Sequence, residues 1–344
     1  MKHSKKIAAL IILLLMCAVL INPERYLSSV KDGVILFWAA VLPALFPFFF
    51  FTRMLTGLGF PETVGKFFEK PVKFLFHTPP ISAYIFFMSV LSGYPIGAKL
   101  ISEFYKNGVI NTEESKKIIT FSSTSAPLFV IGTLGVFMLD NVSYGVIILF
   151  SHYLSAIITG LVFCNVRRLN ATKSNVKPRV KPLPDNVIGD SINDSVLSVL
   201  SVGGLIAIFS LVIDVLYDLK FFDLFGNYSP LAVGFFEMTR GAKEIIKNPP
   251  STGALLAALT GFTSFGGIVY IFAGDDFLKR SKGQIVVLFS CESFSGACRR
   301  GDCLSCLAAV VLILRICVSV GFSQFFPVVS DERQGVAQRN FAVA

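Results

Sequence analysis

Two cations, one carboxylate and a set of hydroxyls stand inside otherwise apolar sequence, and their types suit the capture of a small anion. Lys99 closes the run Ser92-Gly93-Tyr94-Pro95-Ile96-Gly97-Ala98-Lys99, and Arg240 follows Glu237-Met238-Thr239. Hydroxyls stand at Ser92, Ser122, Ser123, Thr124, Thr239 and Ser264, with flexible backbone donors near Gly93, Gly97 and Gly266. A helix end stabilises a charge by about 0.3–2 kcal/mol, and a hydrogen bond to a charged group contributes about 1.5–3 kcal/mol. Several such groups must therefore converge to replace an anion's lost hydration.

Each residue also has a plainer reading. Lys99 can mark the end of a helix and snorkel to water. Arg240 lies three residues after Glu237, so an internal ion pair competes with ligand contact. Glu237, inside an apolar stretch, is a structural partner, a proton carrier or a coupling-ion ligand. Gly93, Gly97 and Gly266 can simply permit close helix packing. Cys291, Cys298, Cys303 and Cys306 have the spacing C-x6-C-x4-C-x2-C, which holds one CxxC and lacks the paired pattern of a zinc ribbon. Free thiols are the favoured reading over disulfides or a metal. His3, His77 and His152 are too scattered for a ligand set. No P-loop, GxSxG, HExxH or dinucleotide fingerprint occurs, so the sequence reads as a non-enzyme without cofactor or metal.

The elements that must position these groups are membrane helices. Of 344 residues, 53% are hydrophobic and 15% charged, with a mean hydropathy of +0.69, too few charges for a soluble surface of this size. The net charge of +9 sits in short loops between apolar spans, which favours positive-inside topology over nucleic-acid binding. A lipid bilayer is the implied partner; the sequence fixes no oligomeric state. Within the apolar run 80–98, Gly93-Tyr94-Pro95 ends one helical piece and starts another, and lipid tolerates such a break only where protein encloses it.

Lys2, Lys5 and Lys6 precede the apolar residues 7–21, and no small-x-small cleavage site follows, so a retained signal-anchor with a cytoplasmic N-terminus is expected. Further apolar segments are 33–51, 118–139, 142–164, 196–216, 229–239, 253–273, 284–291 and 304–329, the last containing Arg315. A span needs about 20 residues, so 229–239 and 284–291 read as re-entrant or peripheral. Lys66, Lys70 and Lys73 mark one cytoplasmic loop; Arg167, Arg168, Lys173, Lys177, Arg179 and Lys181 mark a second, Pro-containing linker. The chain then divides into an N-terminal anchor helix and loop (1–32), a first membrane half (33–164), a basic cytoplasmic linker (165–195), a second membrane half (196–329) and a polar tail (330–344).

With both basic loops inside, the halves begin in opposite directions, the signature of an inverted repeat. Gly97-Ala98-Lys99 recurs as Gly241-Ala242-Lys243, and each half continues to a Ser/Thr-rich stretch: Ser122-Ser123-Thr124-Ser125-Ala126-Pro127 and Thr260-Gly261-Phe262-Thr263-Ser264-Phe265-Gly266-Gly267. The same topology makes 80–98 a re-entrant hairpin. Asn111 with Glu114 reads as a capping box opening the helix that follows. The predicted fold class is an all-α polytopic membrane protein: two halves, an inverted repeat, broken or re-entrant helices.

Pro43-Ala44-Leu45-Phe46-Pro47-Phe48, the Ser92–Lys99 element, the paired helices over 103–117, Phe236-Glu237-Met238-Thr239-Arg240-Gly241 and Ser264-Phe265-Gly266-Gly267 together resemble the YlbJ (SpoVV) family of sporulation integral membrane proteins. That family carries nucleoside-recognition Gate domains, also found in concentrative nucleoside transporters and ferrous-iron permeases. The resemblance covers about residues 30–275. It departs at Thr124-Ser125-Ala126-Pro127, where Asn-rich polar residues are expected. It implies two Gate-like halves in the cell membrane or outer forespore membrane, and transport of the small dianion dipicolinate (pyridine-2,6-dicarboxylate). Ser92, Gly93, Tyr94, Pro95, Gly97, Lys99, Ser123, Thr124, Glu237, Thr239, Arg240, Ser264 and Gly266 are the candidate substrate residues. The alternatives are a Gate-type transporter of another solute, such as a nucleoside, and a non-transporting assembly or regulatory membrane protein.

Overall fold

The computed structural model describes residues 2–166 and 186–266, and among these every regular element is helical. Most of the linker, the segments 284–291 and 304–329, the four clustered cysteines, Arg315 and the tail lie outside the described residues. In chain order the helices are α1 (Lys2–Ile21), α2 (Pro23–Leu36), a π segment (Phe37–Val41), α3 (Leu42–Gly57), α4 (Phe60–Phe67), α5 (Glu69–Phe76), α6 (Ile81–Ser92), α7 (Ile96–Lys106), α8 (Thr112–Ser122), a second π segment (Leu128–Met138), α9 (Val142–Val166), α10 (Val187–Asp218), a 3-10 turn (Phe222–Tyr228), α11 (Ser229–Phe236), α12 (Met238–Lys247) and α13 (Thr252–Phe265).

Three described stretches are long and apolar enough to cross a bilayer: Pro23–Gly57, Val142–Val162 and Val187–Asp218. The pair α5 and α6, bent by 90°, makes a fourth if counted as one broken span. At about 1.5 Å per residue α10 is about 48 Å long, well beyond a hydrocarbon core of about 30 Å. Side chains such as Leu13, Trp38, Phe51, Phe137, Phe150, Leu197 and Ile208 point outward and exposed, as a lipid-facing surface requires. The chain is an integral, multi-pass membrane protein.

Three expectations shift. Residues 22–32 are not a loop. Asn22 accepts a hydrogen bond from the Arg25 amide and Pro23 suits the first helical turn, so the helix starts there and runs through the π segment into α3. The stretch with Lys66, Lys70 and Lys73 forms α4 and α5, short amphipathic helices that bury Val64, Val72 and Phe76 while their lysines face outward. The apolar run 118–139 is two pieces. Pro127 lacks an N–H and disfavours helical backbone in the residue before it, and the chain runs non-helical from Ser123 to Ala126. The capping box at Asn111 and Glu114 is present, each side chain accepting from the other's amide.

The described packing brings the two parts of the chain together. Helix α10 lies along α2 and α3, while α9 packs against α8, α13, α5 and the second π segment. The order of broken helix, amphipathic helix, short turn and helix ending in a Ser/Thr-rich stretch occurs twice, as α6 to α8 and as α11 to α13.

Candidate functional site

Helix α6 stops because Gly93 turns the chain at φ +74° and ψ −169°, a conformation that side chains with a Cβ rarely adopt. A cis peptide joins Tyr94 to Pro95, and Pro95 caps α7. This break touches the second one directly. A Cβ on residue 93 would stand 2.6 Å from the Ala126 amide nitrogen, and one on residue 97 would overlap the Ser122 carbonyl oxygen.

The end of α13 completes the junction. The Tyr94 hydroxyl lies 3.2 Å from the Ser123 carbonyl oxygen and 3.3 Å from that of Ser264, so it bridges the ends of α8 and α13. His152, fully buried on α9, sits between the same two elements. The Ser125 amide donates to its Nε2 at 2.9 Å, and its Nδ1 is 3.1 Å from Ser264 Oγ. A backbone N–H can only donate, so Nε2 is an acceptor; the imidazole is neutral and its hydrogen rests on Nδ1, pointing to Ser264. Ser125 Oγ donates to the Thr263 carbonyl at 3.3 Å, and the Tyr153 hydroxyl lies 3.0 Å from the carbonyls of both Val90 and Ser125.

Ser122 Oγ, Thr124 Oγ1 and Ser151 Oγ are buried without a hydrogen-bond partner; the remaining such side-chain atom among the described residues is Glu62 Oε2. Leaving a buried hydroxyl unpaired costs about 1–3 kcal/mol, so native proteins seldom collect several in one place. Ser122 ends α8 and Thr124 lies on the break, while Ser151 precedes His152 on α9. The arrangement can supply neutral donors and acceptors to a small polar guest.

The second-half candidates are held differently. The chain breaks at Glu237, whose buried carboxylate caps α12 by accepting from the Thr239 amide (3.1 Å), the Thr239 hydroxyl and the Arg240 amide (2.6 Å). The expected Glu237–Arg240 ion pair is therefore replaced by a backbone contact. The helical turn that brings the Arg240 amide onto Glu237 directs its guanidinium elsewhere, to Asp214 (2.7 Å) and Glu244 (3.4 Å). Lys99 donates to Ser198 Oγ at 2.7 Å and to the Asp194 carbonyl at 3.4 Å, tying α7 to α10. Ser92 Oγ is 2.5 Å from Thr52 Oγ1, and Ser123 Oγ is 3.3 Å from the Ile119 carbonyl, within its own helix end. Gly266 is also not where helix N-terminal donors were expected. At φ +80° it ends α13, donating its N–H to the Phe262 carbonyl at 2.7 Å, so this end presents carbonyls. The structure thus unites Gly93, Tyr94, Pro95, Gly97, Ser123, Thr124 and Ser264 at one junction, and gives Ser92, Lys99, Glu237, Thr239 and Arg240 structural partners.

Compared with known proteins, the chain is 27% identical over 291 residues to the sporulation integral membrane protein YlbJ of Bacillus subtilis (strain 168), covering 74% of this chain and 71% of the relative. This similarity supports the YlbJ family assignment. No family model matches the chain, and no solved structure matches it. The similarity to YlbJ extends over most of both chains.

By type and spacing alone, His152 is one of three scattered histidines. The usable signal was its position: an ionisable residue in the middle of the apolar run 142–164 is a functional candidate in a membrane protein by default. Arg53, which binds Glu103 at 3.0 and 3.1 Å and Asp194 at 2.8 Å, carries no such signal, because its partners come from α7 and α10.

Proposed function

We propose that the chain is a transporter that moves a small dianion, dipicolinate, across the outer forespore membrane during sporulation. The observation that carries the reading is the meeting of two broken helices with the end of α13, enclosed by apolar helices and furnished with buried, unpartnered hydroxyls. Non-helical backbone within a bilayer is stable only where protein or a polar cavity receives it, and transporters place their substrate sites at such breaks. A scaffold gains nothing from orphaned hydroxyls. The Ser122 and Thr124 hydroxyls can donate to carboxylates, as can the amides that open the second π segment.

Neutral donors are adequate for this task. Moving two negative charges out of a negative-inside compartment gains roughly 4–5 kcal/mol per 100 mV, at about 2.3 kcal/mol per charge. A tight cationic clamp would only slow release. Reconstituted protein is expected to give saturable uptake of labelled dipicolinate, unaffected by nucleosides and lowered at least fivefold in Thr124→Val. Uptake of nucleosides instead would assign the site to another solute, and no uptake of either, in protein whose fold is verified by circular dichroism, would refute transport.

A further inference from the structure

We propose that His152 is the proton-binding residue of this protein, and that protonation at Nε2 releases the Ser125 amide and loosens the contact between the breaks, so that a proton moves with the dianion. The inference rests on the transport reading above. Glu237, the carboxylate the sequence offered for this role, is occupied as the cap of α12. His152 is buried and holds two elements through a contact that only its neutral form can make.

Nε2 takes a proton from water that reaches the open junction, and the Ser125 N–H loses its acceptor. The imidazolium keeps its Nδ1–H towards Ser264 Oγ and gains an Nε2–H that needs an acceptor. The candidate acceptor is the unpartnered hydroxyl of Thr124, next to Ser125 in the chain. Ser264 lies in the last turn of α13, and helix C-termini favour a cation. On the other side of the membrane the proton leaves Nε2, the Ser125 amide returns, and the breaks lock again.

Among the described residues, the surroundings leave His152 as the titrating group at this place. Neither α13 nor the second π segment carries an ionisable residue. The four on α8, namely Glu113, Glu114, Lys116 and Lys117, lie in its first six residues, at the end away from Ser122. On α5, Glu69 pairs with Lys73, and Lys70 is the remaining charge. Tyr153 is adjacent on α9, with its ring 5.5 Å from the imidazole, and Tyr94 reaches the junction from the break.

Two measurements on the full chain test this. The first is nitrogen-15 NMR of histidine-labelled protein in detergent, with the His152 signals identified by their loss in His152→Gln. The neutral form should carry its hydrogen on Nδ1 and convert to imidazolium on acidification. The Ser125 amide should shift with the same midpoint. A ring that stays neutral to about pH 5, or that carries its hydrogen on Nε2, overturns the proposal. The second is dipicolinate uptake into proteoliposomes at clamped voltage, with and without an acidic exterior. An acidic exterior should raise the rate at least threefold in the native protein and leave the His152→Gln rate, whatever its level, unchanged. An equal response in both proteins, or none in the native one, overturns the proposal while leaving transport standing. Absence of all uptake would sink the transport reading, and the NMR titration alone would then decide the proton site.

Discussion

Replacing Gly93 with Ala should destabilise the protein far more than one methyl group suggests. Two terms add. The backbone at φ +74° and ψ −169° lies in a region that is essentially restricted to glycine, and forcing another residue there costs about 1–3 kcal/mol. The new Cβ would also stand 2.6 Å from the Ala126 nitrogen and 3.0 Å from the Ala126 Cβ, so one break must move off the other, at about 1–3 kcal/mol for overpacking. The sum, about 2–6 kcal/mol, falls on the contact that joins α6 to the 123–126 break. Gly204→Ala is the internal control, because nothing lies within 4 Å of a Cβ there and the residue is helical. It should be neutral or stabilising by up to about 1 kcal/mol. Both variants can be unfolded in mixed micelles with increasing dodecyl sulfate and followed by circular dichroism. A Gly93→Ala midpoint equal to that of Gly204→Ala would refute the close approach of the two breaks.

Charge pairing gives a second prediction. Arg240→Gln should cost about 1–3 kcal/mol, between the values for exposed and buried pairs, because it strands Asp214 beside Glu244. Adding Asp214→Asn should recover much of that loss, whereas adding Glu237→Gln should deepen it by about 0.5–2 kcal/mol through the α12 cap; recovery with Glu237→Gln instead would overturn the assigned partners. The opposed directions of the halves are a separate proposal. A cysteine placed at exposed Lys73 should react with an impermeant thiol reagent only from the cytoplasm, and one at exposed Asp223 only from the other side, while same-side labelling would dispose of the inverted repeat.

Much of the architecture was legible because bilayers impose local rules. Backbone groups in lipid must be satisfied within a helix, so an apolar run declares a membrane segment, and Gly93-Tyr94-Pro95 or Pro127 declares where that helix must stop. The Asn111–Glu114 capping box likewise depends on residues three apart. Side-chain partners obey no such local rule. Arg240 and Glu237, three residues apart, look like a pair, yet Asp214 on α10 takes the guanidinium. Helix polarity at Ser264–Gly266 also depended on which side of the break the helix lay, and serine-rich sequence is compatible with either end. His152 marks the boundary most clearly. Its presence in an apolar run was visible, but its tautomer and its link between two breaks exist only because α8, α9 and α13 meet, and that meeting is a property of the packed chain.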